Sequence, residues 1–144
     1  MDQVRVAGVG LTHFGAHPDR TGRDLFAEAA AGAMEEADVP RGEVEALLYG
    51  NFMGEVTEAQ GHQGPLMAEA AGLRVPATRY ESACASAGVA VREAVKRVRS
   101  GEADVLLVGG AERMHNVGTA GATEGLAMAA DDLYEVRAGV TFPG

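Results

Sequence analysis

Tyr80-Glu81-Ser82-Ala83-Cys84-Ala85-Ser86-Ala87-Gly88 carries the only cysteine of the chain at the point where an extended run turns into a helix. Upstream, residues 77–82 begin just after Pro76 and read as a short strand. Downstream, residues 85–99 contain no proline and are rich in alanine. They set Val91, Val95 and Val98 at helical spacing, with Arg92, Lys96, Arg97 and Arg99 on other faces. Cys84 is therefore expected at or just before a helix N-terminus. Unpaired backbone amides and the helix dipole favour an anion there, and a thiolate is a nucleophile. The small residues on both sides leave room for a bulky substrate or another backbone. A second reading stands beside this one, because free cysteines are commonly small buried hydrophobes.

Outward from that turn, the chain alternates strands with helices. Residues 4–11 (Val-Arg-Val-Ala-Gly-Val-Gly-Leu) are mostly β-branched or small and predict a first strand. A polar loop follows, and Thr21 with Asp24 three residues on marks the start of a helix that Pro40 must stop. Residues 43–52 predict a second strand, 51–60 a flexible loop, and 64–71 a second helix ending at Gly72, a suitable C′ residue. After the cysteine turn and its long helix, residues 104–109 form the most apolar run and predict the central buried strand. Gly109 and Gly110 then allow a sharp bend, and residues 119–130 predict one more helix. This βαβαβαβ order implies an α/β fold whose mainly parallel sheet carries helices on both faces. Sites in such sheets form at the C-terminal ends of strands, where Cys84 stands.

Composition limits the partners. With 144 residues, 47% hydrophobic and 23% charged, the chain can bury a real core as one domain. One cysteine excludes an internal disulfide framework, and no histidines share metal-ligand spacing, so no metal site is expected. A net charge of −9 argues against nucleic acid and anionic membrane as partners. There is no apolar run of about 18 residues, and Asp2, Arg5 and Gly8 interrupt any signal-peptide pattern, so a cytoplasmic location is expected. His13 and His17 read as solvated loop residues and His62 as a loop residue near a helix start. His115, following the most apolar strand, is the histidine placed to face the site. Glu81 and Glu112 flank the site on turns and read as residues that hydrogen-bond backbone amides rather than as bases.

Four stretches, in order and at matching spacing, carry a resemblance. They are Val9-Gly10-Leu11-Thr12-His13-Phe14-Gly15, Leu48-Tyr49-Gly50-Asn51, Glu81-Ser82-Ala83-Cys84-Ala85-Ser86, and Val108-Gly109-Gly110-Ala111-Glu112-Arg113-Met114. The sequence resembles the N-terminal part of the thiolase superfamily, most closely archaeal acetyl-CoA acetyltransferases and sterol-carrier-protein-type thiolases. The tail from Ala127-Met128-Ala129-Ala130-Asp131 through Phe142-Pro143-Gly144 resembles that family's loop domain. The resemblance implies a thiolase-like N-terminal α/β core over residues 1–113 and the start of a loop or lid domain over 114–144, with the C-terminal half absent.

The resemblance also implies a reaction. Thiolases condense two acyl-CoA molecules, or cleave a 3-ketoacyl-CoA, through an acyl-enzyme on the cysteine that matches Cys84. Coenzyme A thioesters are then substrates, with no cofactor bound. The family's catalytic bases lie in the C-terminal half, and none of the four histidines here matches them, so turnover is expected to need that half as a second chain or segment. Pairing of the strand before the cysteine implies a homo-oligomer. Two alternatives remain: a non-catalytic thiolase-like binding or assembly module, and a relative of 3-hydroxy-3-methylglutaryl-CoA synthase or the ketosynthases. The latter use a similar cysteine turn.

Overall fold

Leu47 and Leu48 sit side by side on one strand and belong to different cores, because alternate residues of a strand face opposite sides of its sheet. In the computed structural model, which describes residues 3–140, that strand is β1 (Ala46–Gly50), and all five of its residues are buried. It pairs in parallel with β2 (Ala77–Tyr80) on one side and with β3 (Leu106–Gly109) on the other, giving the order β2-β1-β3. Leu47 and Tyr49 face helices α1 (Gly22–Glu36) and α3 (Gln63–Ala70), where Phe26, Ala30, Met34, Met67 and Ala68 close the larger core. Ala46 and Leu48 face helix α4 (Ser86–Arg99), where Ala90 and Ala94 close the smaller one. The α/β class, the parallel sheet and helices on both faces follow the expectation.

The ends of the helices show why they stop where they do. At the start of α1, Thr21 and Asp24 form a reciprocal capping box: the Asp24 N–H donates to Thr21 Oγ1 at 3.2 Å and the Thr21 N–H donates to Asp24 Oδ2 at 2.8 Å. The carboxyl of Asp24 is held below its ordinary value chiefly by the Thr21 amide. After α3, Gly72 takes φ +73°, and its N–H reaches Glu69 O while that of Leu73 reaches Ala68 O. These bonds satisfy carbonyls that the helix end would otherwise orphan.

Four details differ from the sequence expectation. Residues 4–11 form no strand: they run extended over α1, outside the sheet ladders, with Val6, Val9 and Leu11 exposed. Their closest approach to α1 is made by glycines, since a Cβ on Gly10 would lie 1.9 Å from Ala29 O and one on Gly8 2.4 Å from Ala33 O. The central strand is β1, not the 104–109 run, because β1 alone finds partners on both sides among the described residues. The buried residues of α4 are the small side chains Ser86, Ala90 and Ala94, while Val91 is half exposed; the two alanines let the helix approach Leu48 closely. Residues 51–60 are not a loose loop, for they hold the short helix α2 (Gly54–Thr57) and a dense set of hydrogen bonds. The last α-helix among the described residues, α5, spans Gly118–Ala127. Of the loop-domain resemblance, the Phe142-Pro143-Gly144 portion lies outside the described residues.

Candidate active site

Cys84 occupies a single 3-10 turn, Ala83–Ala85, between β2 and α4, and is exposed. The turn is made by unusual backbone geometry. Ser82 leaves the strand at φ −162°, ψ 49°, and Ala83 takes φ +47°, a left-handed conformation that a residue with a Cβ adopts only when its surroundings enforce it. The Glu81 carboxylate accepts the Ala83 N–H at 2.6 Å, and the Ala85 N–H donates to Ser82 O at 2.9 Å. Ser86, at the first position of α4 and buried, accepts the Ser82 N–H at 2.9 Å and donates to Ala83 O at 2.6 Å.

The turn opens on a cavity of about 470 Å³ at the C-terminal ends of all three strands. One wall is the end of β1 with the segment after it, Gly50, Asn51, Phe52 and Met53; a second is Gly110, Ala111 and Glu112 beyond β3. The third comes from the extended N-terminal segment, including Leu11, His13 and Phe14. The first two walls are locked together. Tyr49 Oη donates to Ala111 O at 3.1 Å and accepts the Ala111 N–H at 3.2 Å, while Asn51 Nδ2 donates to the same carbonyl at 2.9 Å. Asn51 Oδ1 accepts the Gly54 N–H at 3.1 Å. Gly110 is needed for close approach rather than for a sharp bend: a Cβ there would stand 2.1 Å from Gly50 O.

Charge is arranged around the same wall. The Glu112 carboxylate accepts the amides of Phe52 and Met53, the latter at 3.2 Å. Desolvation raises its pKa despite those amides. Arg79 of β2 donates to Asn51 O at 3.2 Å and Phe52 O at 3.0 Å and pairs with Glu55, whose carboxyl it holds below the ordinary value. Burial raises the pKa of Tyr49, so its hydroxyl stays protonated and able to donate. Among the described residues no group of three His, Cys, Asp or Glu side chains is placed to hold a metal ion, and no helix is long and apolar enough to cross a membrane.

The residues singled out in the sequence sort unevenly. Cys84 stands at the helix start as expected and is not a buried hydrophobe. Glu81 and Glu112 both bind backbone amides, as their turn positions implied. The histidines reverse their expected places: His115 is exposed on the Met114–Val117 turn and lines no part of the cavity, whereas His13 and His17 do. The cause is the N-terminal segment, which lies over α1 and carries the loop after it to the cavity mouth. Ser86 was legible only as a small neighbour, although a serine two residues after the cysteine falls where the helix begins.

Comparison with known proteins places this geometry. The family model described as "Thiolase, N-terminal domain" matches residues 4–139. Acetyl-CoA acetyltransferases from Methanocaldococcus jannaschii and Methanothermobacter thermautotrophicus are each 40% identical to this chain over 144 residues, which is 99% of it. The chain spans 36% and 37% of those proteins, little more than a third of their length. The mitochondrial trifunctional enzyme subunit beta from Homo sapiens is 28% identical over 102 residues, covering 71% of this chain and 22% of its own. Among solved structures, the acetyl-CoA acetyltransferase from Syntrophomonas wolfei superposes with a TM-score of 0.60 at 21% identity, over 68% of this chain and 26% of that one, a likeness of fold. A domain match over residues 4–139, joined to 40% identity along almost the whole chain, means that this chain belongs to the thiolase family and carries its N-terminal domain.

Proposed function

We propose that Cys84 is the acyl-accepting nucleophile of an acyltransferase of the acetyl-CoA C-acetyltransferase type. The observation that carries this reading is an exposed thiol on a constrained turn at the start of α4, facing a cavity at the C-terminal ends of the strands. The Cys84 thiolate attacks the thioester carbonyl of an acyl-CoA. Amides at the α4 N-terminus stabilise the oxyanion, the carbon–sulfur bond to coenzyme A breaks, and the coenzyme A thiolate leaves and takes up a proton. Exchange between two thioesters is nearly balanced, because attacking and leaving thiols are of similar basicity. Carbon–carbon bond formation then needs a base for the α-proton of a second acyl group. In this reading a C-terminal half, as a further segment or a second chain, supplies it. A homo-oligomer forms through the outer edge of β2, which has no strand partner among the described residues.

The test is to incubate the chain with acetoacetyl-CoA and free coenzyme A, follow loss of the ketoacyl thioester, and map acyl adducts by mass spectrometry. Acylation confined to Cys84, absent in Cys84→Ala, with turnover only when a C-terminal half is added, is the expected result. No adduct on the wild-type chain under any of these conditions overturns the nucleophile and favours a non-catalytic binding module.

A further inference from the structure

We propose that Ser86 is a positioning residue: its hydroxyl ties the two residues before the cysteine, Ser82 and Ala83, to the first residue of α4 and thereby fixes Cys84 for attack on the thioester. This rests on the reading of Cys84 as the acylated nucleophile. Two backbone groups lie just before Cys84: the Ser82 N–H, which precedes the helical hydrogen-bond ladder, and the Ala83 carbonyl, which accepts the Ser86 N–H and keeps a second lone pair. A hydroxyl has one hydrogen to donate and lone pairs to accept, so a single serine can satisfy both groups at once. Ser86 does so, accepting from Ser82 at 2.9 Å and donating to Ala83 at 2.6 Å. It is only 4% exposed, so water competes weakly for either bond.

Direction makes this arrangement informative. A serine at a helix start ordinarily accepts amides two or three residues further along the helix. Ser86 reaches backward instead; the Ala83 amide goes to the Glu81 carboxylate, and α4 itself has no side-chain cap on its first amides. The first N–H groups of α4 stay unclaimed by side chains, where an oxyanion on an acyl group at Cys84 would use them. The anchor is firm, since a Cβ on Gly50 would lie 2.5 Å from Ala87 Cα and 2.8 Å from the Ser86 carbonyl carbon. The helix start is thus seated against the end of β1. The hydroxyl passes that rigidity to Ala83, whose left-handed φ of +47° sets the direction of the next residue, Cys84.

The test measures single-turnover acylation of Cys84 by acetyl-CoA in the wild-type chain, Ser86→Ala and Ser86→Thr, with iodoacetamide alkylation in parallel. Ser86→Ala is expected to lower the limiting acylation rate constant about tenfold or more. The half-saturating acetyl-CoA concentration and the fraction of chain finally labelled should change less than about twofold. Ser86→Thr, which keeps the hydroxyl, should recover most of the rate. A merely structural role would reduce the labelled fraction and leave the rate constant of the folded molecules unchanged, and that result overturns the proposal. Where Ser86→Ala does not fold, the comparison moves to the Ala83→Gly background, since glycine takes the left-handed conformation freely. The same loss is expected there, and equal rate constants for Ala83→Gly and the double variant overturn the proposal. A wild-type chain that is alkylated but never acylated refutes the nucleophile instead, and Ser86 is then judged on the alkylation rates, which should fall in the same order.

Discussion

Residues 46–50 and residues 4–11 are both short, apolar and extended, yet they hold opposite positions in the molecule. The first is hydrogen-bonded to a parallel neighbour on each side and fully buried. The second lies outside the sheet, touches α1 through Gly8 and Gly10, and leaves Val6 81% and Leu11 75% exposed. The difference teaches that a strand is a property of its neighbours. Composition makes a segment fit for a sheet, but only partners on its edges satisfy its backbone and only layers on its faces bury its side chains.

The sharpest test of that contrast pairs Leu48→Ala with Val6→Ala. Leu48 is wholly inaccessible and packs against Ala90 and Ala94, so truncation leaves a cavity that small neighbours cannot fill. A loss of about 2–5 kcal/mol is expected, and a large share of a stability of about 5–15 kcal/mol would go with it. Val6→Ala should move the denaturant midpoint by no more than about 0.5 kcal/mol equivalent. Comparable losses in both variants would mean that residues 4–11 are covered in solution, and the contrast would fail.

How much was legible follows from the same distinction. Local signals read correctly: the Thr21–Asp24 box, the Gly72 stop, the cysteine at a helix start, and the amide-binding carboxylates of Glu81 and Glu112 all depend on residues close in sequence or on turn chemistry. Non-local outcomes did not. The 104–109 run is the most apolar, but β1 takes the centre because β2 and β3 flank it. Val91, Val95 and Val98 trace a helical face, but the sheet at Leu48 accepts only alanines. The Tyr49–Ala111 and Asn51–Ala111 bonds span about 60 residues and have no local signature.

A smaller effect is expected from Tyr49→Phe, which probes how the end of β1 is bound to the far wall of the cavity. The ring packs edge-on against Phe26, with centroids 5.2 Å apart, and should stay in place. What goes is a hydroxyl that both donates to and accepts from Ala111. The carbonyl keeps Asn51 as donor, but the Ala111 N–H loses its partner. The expected cost is about 1–2 kcal/mol in the denaturant midpoint, as for a buried hydrogen bond lost from one side. An unchanged midpoint would show that water reaches Ala111 and that this wall is less closed than the strand beneath it.

Apart from the Val6→Ala control, the smallest change in global stability is expected from Gly10→Ala, although it should alter the N-terminal segment most. A Cβ at Gly10 would stand 1.9 Å from Ala29 O and 2.5 Å from Ala33 N. Both are backbone atoms inside α1, so neither can yield, and residues around Gly10 must lift away from the helix. The Val9 N–H would then pull away from Glu36, whose carboxylate it meets at 2.5 Å. Because Val6, Val9 and Leu11 are already exposed, little apolar burial is lost, and the denaturant midpoint should fall by no more than about 1 kcal/mol equivalent. Limited proteolysis should speed up selectively before residue 20, since cleavage follows the population of opened backbone. Iodoacetamide labelling of Cys84 should be no slower, because Gly10, Leu11, His13 and Phe14 form one wall of its cavity and would move outward. If Gly10→Ala instead destabilises the chain as much as Leu48→Ala, residues 4–11 are part of the folding core, and the two segments differ only in their hydrogen bonds.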